Sequence, residues 1–220
     1  MNLVSAIFAA GAGAVLVYRE ARKYMSPANQ LRRQLRALPR RSLAELPEGT
    51  SARIVGRAEA IDDTLEAPLT GRRCLYYTAI VELSEGNHWR EIIREDRAVM
   101  FVLDDGSARA IVDPSSSKVA LEFDGKSDSG FLDNPNEREQ AFLDAHNTPG
   151  RRLVFNRSLR YREAVIEVGE TIAIFGAAVR EPDPTAQPEA AYRGDAPTRL
   201  LMTSSRKQPM IISDSRAATR

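Results

Sequence analysis

The chain has 220 residues, enough for one domain of ordinary size together with an anchor, but too few for two full hydrophobic cores. A single cysteine, with only two histidines beside it, excludes an internal disulfide framework and a clustered Cys/His zinc site. The net charge of +1 hides an asymmetry: Arg19, Arg22, Lys23, Arg32, Arg33, Arg36, Arg40 and Arg41 face only Glu20 in the same stretch, and the rest of the chain is acidic on balance.

From Asn2 to Tyr18 no residue is charged, and the run from Leu3 to Val17 is apolar on every face. A helix of that kind belongs in lipid or in a deep core. At about 1.5 Å per residue it measures roughly 25 Å, slightly under the ~30 Å hydrocarbon core, so Arg19 and Lys23 have to snorkel or the bilayer has to thin. The sequence therefore predicts a transmembrane anchor over residues 1–18. The rival is a cleaved secretory signal, but such signals carry their basic residues before the apolar run, and here they follow it. The positive-inside rule then gives a single-pass membrane protein with its N-terminus outside and everything from Arg19 onward in the cytoplasm. The small pairs Ala9/Gly13 and Ala10/Ala14 permit close helix packing. Gly11-Ala12-Gly13 is not a dinucleotide fingerprint, because no strand and turn precede it.

Ser26-Pro27 reads as an N-cap followed by a proline at the first helical position, and Leu31, Leu35 and Leu38 recur at helical spacing between arginines. Residues 19–45 thus predict a basic juxtamembrane segment with a short amphipathic helix. Two readings stand for it. One sets its basic residues against anionic lipid headgroups, each contributing on the order of 1 kcal/mol; the other is a solvated linker that obeys the topology rule. Nucleic acid is not an expected partner, since Tyr24 is the only aromatic in the stretch and no nucleic-acid module follows.

Beyond Pro47 the apolar period changes to two. Residues 52–61, 73–84, 89–94, 97–103, 107–113 and 117–121 read as strands, separated by turn chemistry such as Asp105-Gly106 and Asp113-Pro114-Ser115. Closely spaced strands predict a mainly β domain over 46–213, an antiparallel barrel or sandwich. Residues 124–150 interrupt it with a Gly/Asp/Ser-rich loop, including Ser127-Asp128-Ser129-Gly130, and one inserted helix. That helix is expected to be capped at Asn134-Pro135 and to carry Phe142 and Leu143 up to about His146. Strands resume at 160–167 and 170–180, with Gly169 turning between them. A loop with four prolines over 181–197 leads to a strand at 198–203, and Met210-Ile211-Ile212 pairs back before a polar tail over 214–220.

No catalytic motif is present: there is no Walker loop, HExxH, GxSxG or CxxC. His88 lies beside a turn and reads as a surface residue, and His146 sits where an imidazolium favours a helix C-terminus. Cys74 opens a strand of alternating burial and reads as a buried inert thiol. Asp62, Asp63 and Glu66, or Asp104 and Asp105, lack calcium-loop spacing and read as turn-forming acids. No catalytic residue, cofactor or metal is expected.

Several stretches read together resemble a known domain. They are Gly56 to Ala60, then Ala67-Pro68-Leu69-Thr70-Gly71-Arg72-Arg73-Cys74-Leu75-Tyr76-Tyr77, then Trp89, and Phe101 through Asp113 with its Asp105-Gly106 turn. The longest runs from Leu159 to Gly176 and contains an Arg-x-x-Glu ending at Glu163, then Gly169 and Gly176. Over about residues 50–213 the chain resembles the GIDE-type, or BAM (beside-a-membrane), domain of mitochondrial outer-membrane E3 ubiquitin ligases and their prokaryotic relatives. The resemblance implies a membrane-proximal β-rich domain with a protein or peptide partner. It also implies that Pro68, Gly71, Cys74, Tyr77, Asp105, Gly106, Glu163, Gly169 and Gly176 are structural. The sequence departs from the ligases in showing neither a C-terminal hydrophobic helix nor a RING, since one cysteine cannot hold two zincs. The expected function is a membrane-anchored, non-catalytic binding or scaffolding domain. The alternatives are a tethered hydrolase or transferase using carboxylates such as Glu163 with Asp104, or a ligase-like activity implied by the family alone.

Overall fold

The computed structural model describes residues 26–129, 135–148, 158–183, 198–204 and 208–220. The predicted anchor, the basic residues Arg19, Arg22 and Lys23, the cap Asn134 and most of the proline-rich loop lie outside them. Among the described residues no helix is long and apolar enough to cross a membrane.

Helix α1 spans Pro27–Ala37. Ser26 caps it by accepting the Asn29 N–H at 3.3 Å, and Pro27 occupies the first turn, where no N–H is needed. It stops at Leu38, whose extended backbone is what a following Pro39 demands. Its apolar stripe is already covered: Leu35 is fully buried with Val55, Ala173, Phe175, Ile211 and Ala218, and Leu31 and Leu38 pack at the margin. The domain holds the leucine face, so only the arginine face of this helix is left to meet anything else.

The strands are β1 (Ser51–Ala60), β2 (Leu65–Glu66), β3 (Arg73–Glu85), β4 (His88–Ala98), β5 (Phe101–Asp104) and β6 (Arg109–Val112). They continue with β7 (Lys118–Val119), β8 (Gly125–Ser129), β9 (Leu159–Glu167), β10 (Thr171–Pro182), β11 (Thr198–Thr203) and β12 (Ile211–Ser213). Five of them close on themselves in the order β1-β5-β6-β11-β10, and β10 returns to β1. The order is that of a Greek-key barrel of the OB type. The barrel is mixed rather than antiparallel, because β11 runs parallel to β6 with Leu200 beside Ala110 and Met202 beside Val112. Ile54, Ala58, Phe101, Leu103, Val112, Ile172, Ile174 and Met202 alternate inward along their strands to fill it. Strand β12 extends one edge of β10, and β7 extends β12.

The second sheet is assembled from two insertions into this barrel: β2 to β4 between β1 and β5, and β8 with β9 between β6 and β10. Its order is β8-β9-β3, with β4 and β2 side by side on the far edge of β3. One face carries helix α2 (Glu137–Ala145) through Phe142 and Leu143. The other sends Leu75, Tyr76, Ala164 and Ile166 into the barrel cluster, which makes β3 buried on both faces.

Three expectations change here. Helix α2 is capped by Asn136, which accepts the Glu139 N–H at 2.9 Å while the Glu139 carboxylate takes the Asn136 N–H. This capping box outcompetes the Asn134-Pro135 signal. Residues 125–129, expected in a loop, form strand β8, because β9 offers it an open edge in register from Gly125↔Glu163 to Ser129↔Leu159. The expected polar tail contains helix α3 (Arg216–Thr219), whose Ala218 is buried against α1.

Candidate functional site

Of the residues carrying the family resemblance, Pro68, Gly71, Cys74 and Glu163 gather around the loop that joins β2 to β3. The loop closes on itself through Ala67 N–H to Arg72 carbonyl (2.9 Å) and Gly71 N–H to Ala67 carbonyl (2.8 Å). Gly71 has φ +73°, and a Cβ there would lie 2.6 Å from the Arg138 guanidinium, which itself reaches Glu66 at 2.9 Å. Pro68 stiffens the turn itself, directly after Ala67.

Glu163 reaches this loop from β9, where it lies between Ala79 and Gly125. It is 1% exposed; it accepts the Leu69 N–H at 2.8 Å and the Thr70 hydroxyl, with Arg72 at 4.0 Å. Arg160 and Arg162, its neighbours in sequence, turn instead to Glu82 at 2.7 and 3.8 Å. Arg72 is the electrostatic centre: it holds Asp124 at 2.9 Å and Glu167 at 3.0 Å. The Asp124 hydrogen bond is the main reason its guanidinium is pushed further up, and the same bond holds Asp124 below the usual carboxylate range.

Cys74 beside this loop is fully buried, and burial, reinforced by Glu163, pushes its thiol up to about 11. A thiol held protonated is a poor nucleophile. The Tyr77 hydroxyl donates to Glu95, and burial with that bond raises it. Glu95 also faces His146 Nε2 at 3.1 Å, while His146 Nδ1 sits 2.9 Å from the Phe142 carbonyl. His146 is thus the C-cap of α2, tied to β4. His88 is exposed at the β3–β4 turn, 3.3 Å from Glu85.

Asp105 closes the β5–β6 turn, in which Gly106 has φ +84°. Burial would raise this carboxyl, but the N–H groups of Leu43 (2.7 Å), Ser107 (2.9 Å) and Ala108 (3.0 Å) outweigh it and lower its pKa. Asp104 accepts the Gly106 N–H at 2.8 Å on the barrel, whereas Glu163 is engaged in the second sheet, so the two carboxylates considered as a catalytic pair are not brought together. Among the described residues, no three His, Cys, Asp or Glu side chains are grouped to hold a metal. Gly169 (φ +86°) donates to the Ala58 carbonyl at 2.7 Å where the chain passes from the second sheet into the barrel. At Gly176 a Cβ would stand 2.9 Å from the Thr203 carbonyl.

The basic residues divide. Arg32 bends into the domain and donates to the Ala120 (3.3 Å) and Leu121 carbonyls, while Arg33, Arg36, Arg40 and Arg41 remain exposed.

One surface had no counterpart in the sequence reading. On the outer face of the barrel the register places Glu59, Val102, Ile111, Leu201 and Val179 in one row across β1, β5, β6, β11 and β10. The four apolar members are half-buried. Beside them a groove of about 440 Å³ is lined by Ile61, Val102, Arg109, Ile111, Asp183 and Arg199. Its arginines are neutralised locally: Arg109 meets Glu59, and Arg199 meets Glu181, each at 2.6 Å. The signal was present in strands with apolar residues on both faces, but alternation alone gives no way to tell a groove from a core. No protein family, curated protein or solved structure matches the chain.

Proposed function

We propose that the chain is a membrane-anchored binding domain of the GIDE/BAM type that holds a protein partner and performs no chemistry of its own. The observation that carries this reading is the row Val102–Ile111–Leu201 beside its groove, an apolar strip whose flanking charges are already paired. Such a strip suits an extended peptide segment with apolar side chains, for which alternate residues would face the sheet. The motif residues support it from the other side: Glu163, Arg72 and Asp105 are consumed in holding loops and Cys74 is sealed, so the family signature reads as scaffold. The uncharged run from Asn2 to Tyr18 anchors the chain, with the domain in the cytoplasm.

The test is a photo-crosslinking amino acid placed at Ile111 in the full-length chain, in intact membranes, with Asp62 substituted as the control position. A discrete adduct from position 111, absent from position 62 and lost in a Leu201→Asp background, is expected. Equal labelling from both positions would remove the groove from the account.

A further inference from the structure

Arg53 is 7% exposed, yet no carboxylate among the described residues lies within ion-pairing distance of it. It projects from the outer face of β1, on the same side as Val55, into the layer formed by α1 and α3. Its Nη1 donates to the Ala218 carbonyl at 2.9 Å, and its Nε is buried with no partner among the described residues. Among the described residues Nη2 has no hydrogen-bond partner, so it is the nitrogen left for a ligand. A buried cation satisfied by one carbonyl is an incomplete arrangement, because desolvation of the guanidinium is offset only when an anion or several acceptors answer it.

What surrounds Arg53 is more positive charge. Arg40 pairs with it as a parallel backbone bridge, and the Arg41 N–H donates to its carbonyl at 3.0 Å. Arg216 and Arg220 flank Ala218, both exposed, and Arg36 lies in the last turn of α1. Residues 27–41 and 215–220 contain no aspartate or glutamate. The adjoining crevice lined by Arg40 and Thr219 holds the carboxylates of Glu59, Asp104 and Asp105. Each is occupied, by Arg109, by the Gly106 N–H and by the Leu43 N–H respectively.

Resting on the membrane-anchored reading above, we infer that the α1–α3 layer is a binding site for the phosphate of an anionic lipid headgroup, with Arg53 at its floor and Arg36, Arg40, Arg216 and Arg220 on its rim. A lipid headgroup is the occupant because only eight residues separate α1 from the uncharged run that ends at Tyr18, which keeps this face near the bilayer. The leucine stripe of α1 is buried on the barrel, so the contact is through headgroups without insertion of the helix. Two helices that are far apart in sequence have to pack together to form the site, which is why neither chain end discloses it alone.

The full-length chain in non-ionic detergent micelles provides the test, read as the shift in melting temperature on adding phosphatidylglycerol, phosphatidylcholine or inorganic phosphate at fixed ionic strength. Phosphatidylglycerol should raise the melting temperature in a saturable way, phosphatidylcholine should not, and inorganic phosphate should act at least tenfold more weakly. Arg53→Met should weaken the phosphatidylglycerol response at least tenfold, with only a small drop in the lipid-free melting temperature from the freed Ala218 carbonyl, and Arg53→Lys should restore part of it. A purely structural Arg53 would lower the lipid-free value but leave the lipid response unchanged, which would overturn the proposal. So would equal shifts with both lipids, or equal potency of inorganic phosphate. If Arg53→Met does not fold, Arg216→Gln with Arg220→Gln serves in its place, with at least threefold weakening expected and no change refuting the site. Resistance of the parent to carbonate extraction, measured in parallel, separates failure of this site from failure of the anchor.

Discussion

Glu163→Gln isolates what a buried carboxylate contributes when its role is to hold a loop. The wild-type side chain receives the Leu69 N–H at 2.8 Å and the Thr70 hydroxyl, and Arg72 stands 4.0 Å away. Hydrogen bonds to a charged acceptor contribute about 1.5–3 kcal/mol each, against about 0.5–1.5 for neutral ones, so neutralising the acceptor removes roughly 1 kcal/mol per bond. The amide can still accept from Leu69 and reorient toward Thr70, and the cost of burying a charge disappears. Thr70 is exposed and Leu69 only half-buried, so water replaces part of what is lost. The net expectation is a loss of about 1–2 kcal/mol. Glu163→Ala, which leaves both donors without an acceptor, should cost about 2–4 kcal/mol. The assay is denaturant unfolding of the full-length chain in detergent, with the midpoint falling and the slope unchanged. Hydrogen exchange should localise the loosening to residues 67–72. A Glu163→Gln protein that unfolds at the parent's midpoint but loses its crosslinked partner would refute the scaffold role and make Glu163 part of the recognition surface.

Gly169→Val should destabilise the domain by about 1–3 kcal/mol, because φ is +86° there and a β-branched residue is strained in that region. Gly176→Val should cost a similar amount for a different reason, the 2.9 Å approach to the Thr203 carbonyl, and paired denaturation curves that show no loss at either position would be inconsistent with the register. Burial, together with Glu170 and Glu122, pushes Asp214 from 3.8 up to about 7, although the Glu122 N–H opposes the rise. A carboxyl raised in the folded state costs nothing below its unfolded pKa and a growing amount as pH rises from about 4 to about 7. Asp214→Asn should therefore match the parent at pH 4 and exceed it by about 1–3 kcal/mol at pH 8, and a melting-temperature series in which the variant gains nothing at high pH would contradict this. Carbonate washing should leave the full-length chain in the membrane, and an alkaline phosphatase fusion after Arg220 should be inactive; activity there would invert the orientation.

The long strands were legible because their burial alternates or runs continuously over many residues: the expected 52–61, 73–84, 160–167 and 198–203 match β1, β3, β9 and β11 within a residue or two. So was α1, where a cap, a first-turn proline and three leucines agree. The segments that escaped notice are short and owe their structure to distant partners. Strand β8 carries a Gly-Lys-Ser-Asp-Ser sequence of low β propensity and is ordered by pairing with β9, about thirty residues onward. Helix α3 has four residues, far below what propensity can stabilise, and exists through the packing of Ala218. Parallel closure through β6 and β11 is a pairing between segments roughly ninety residues apart, and nothing local records it. At the functional surfaces the division is the same. The exposed arginines could be read from the sequence, whereas the buried Arg53, with no carboxylate partner among the described residues, depends on which side of β1 faces the two helices.

The two proposed surfaces lie on different sectors of one closed barrel, and that placement limits how they can be used together. Helices α1 and α3 cover the outer face of β1, β10 and β12 through Val55, Ala173, Phe175 and Ile211. The apolar row and its groove centre on the outer face of β5, β6 and β11, with Val179 of β10 at one end of the row. In the order β1-β5-β6-β11-β10, strand β6 is as far around the ring from the β1–β10 seam as a five-stranded barrel allows. A domain seated on headgroups by its arginines would turn the groove away from the bilayer, so lipid and partner need not compete. A trace of linkage should remain through shared strands, since β1 contributes Arg53 to one surface and Glu59 to the other. Crosslinking from position 111 should therefore be unchanged in yield, within about twofold, when Arg216 and Arg220 are both replaced by glutamine in a chain that stays anchored. A loss of tenfold or more would mean that the headgroup contact orients or remodels the groove, and that the two surfaces act as one site.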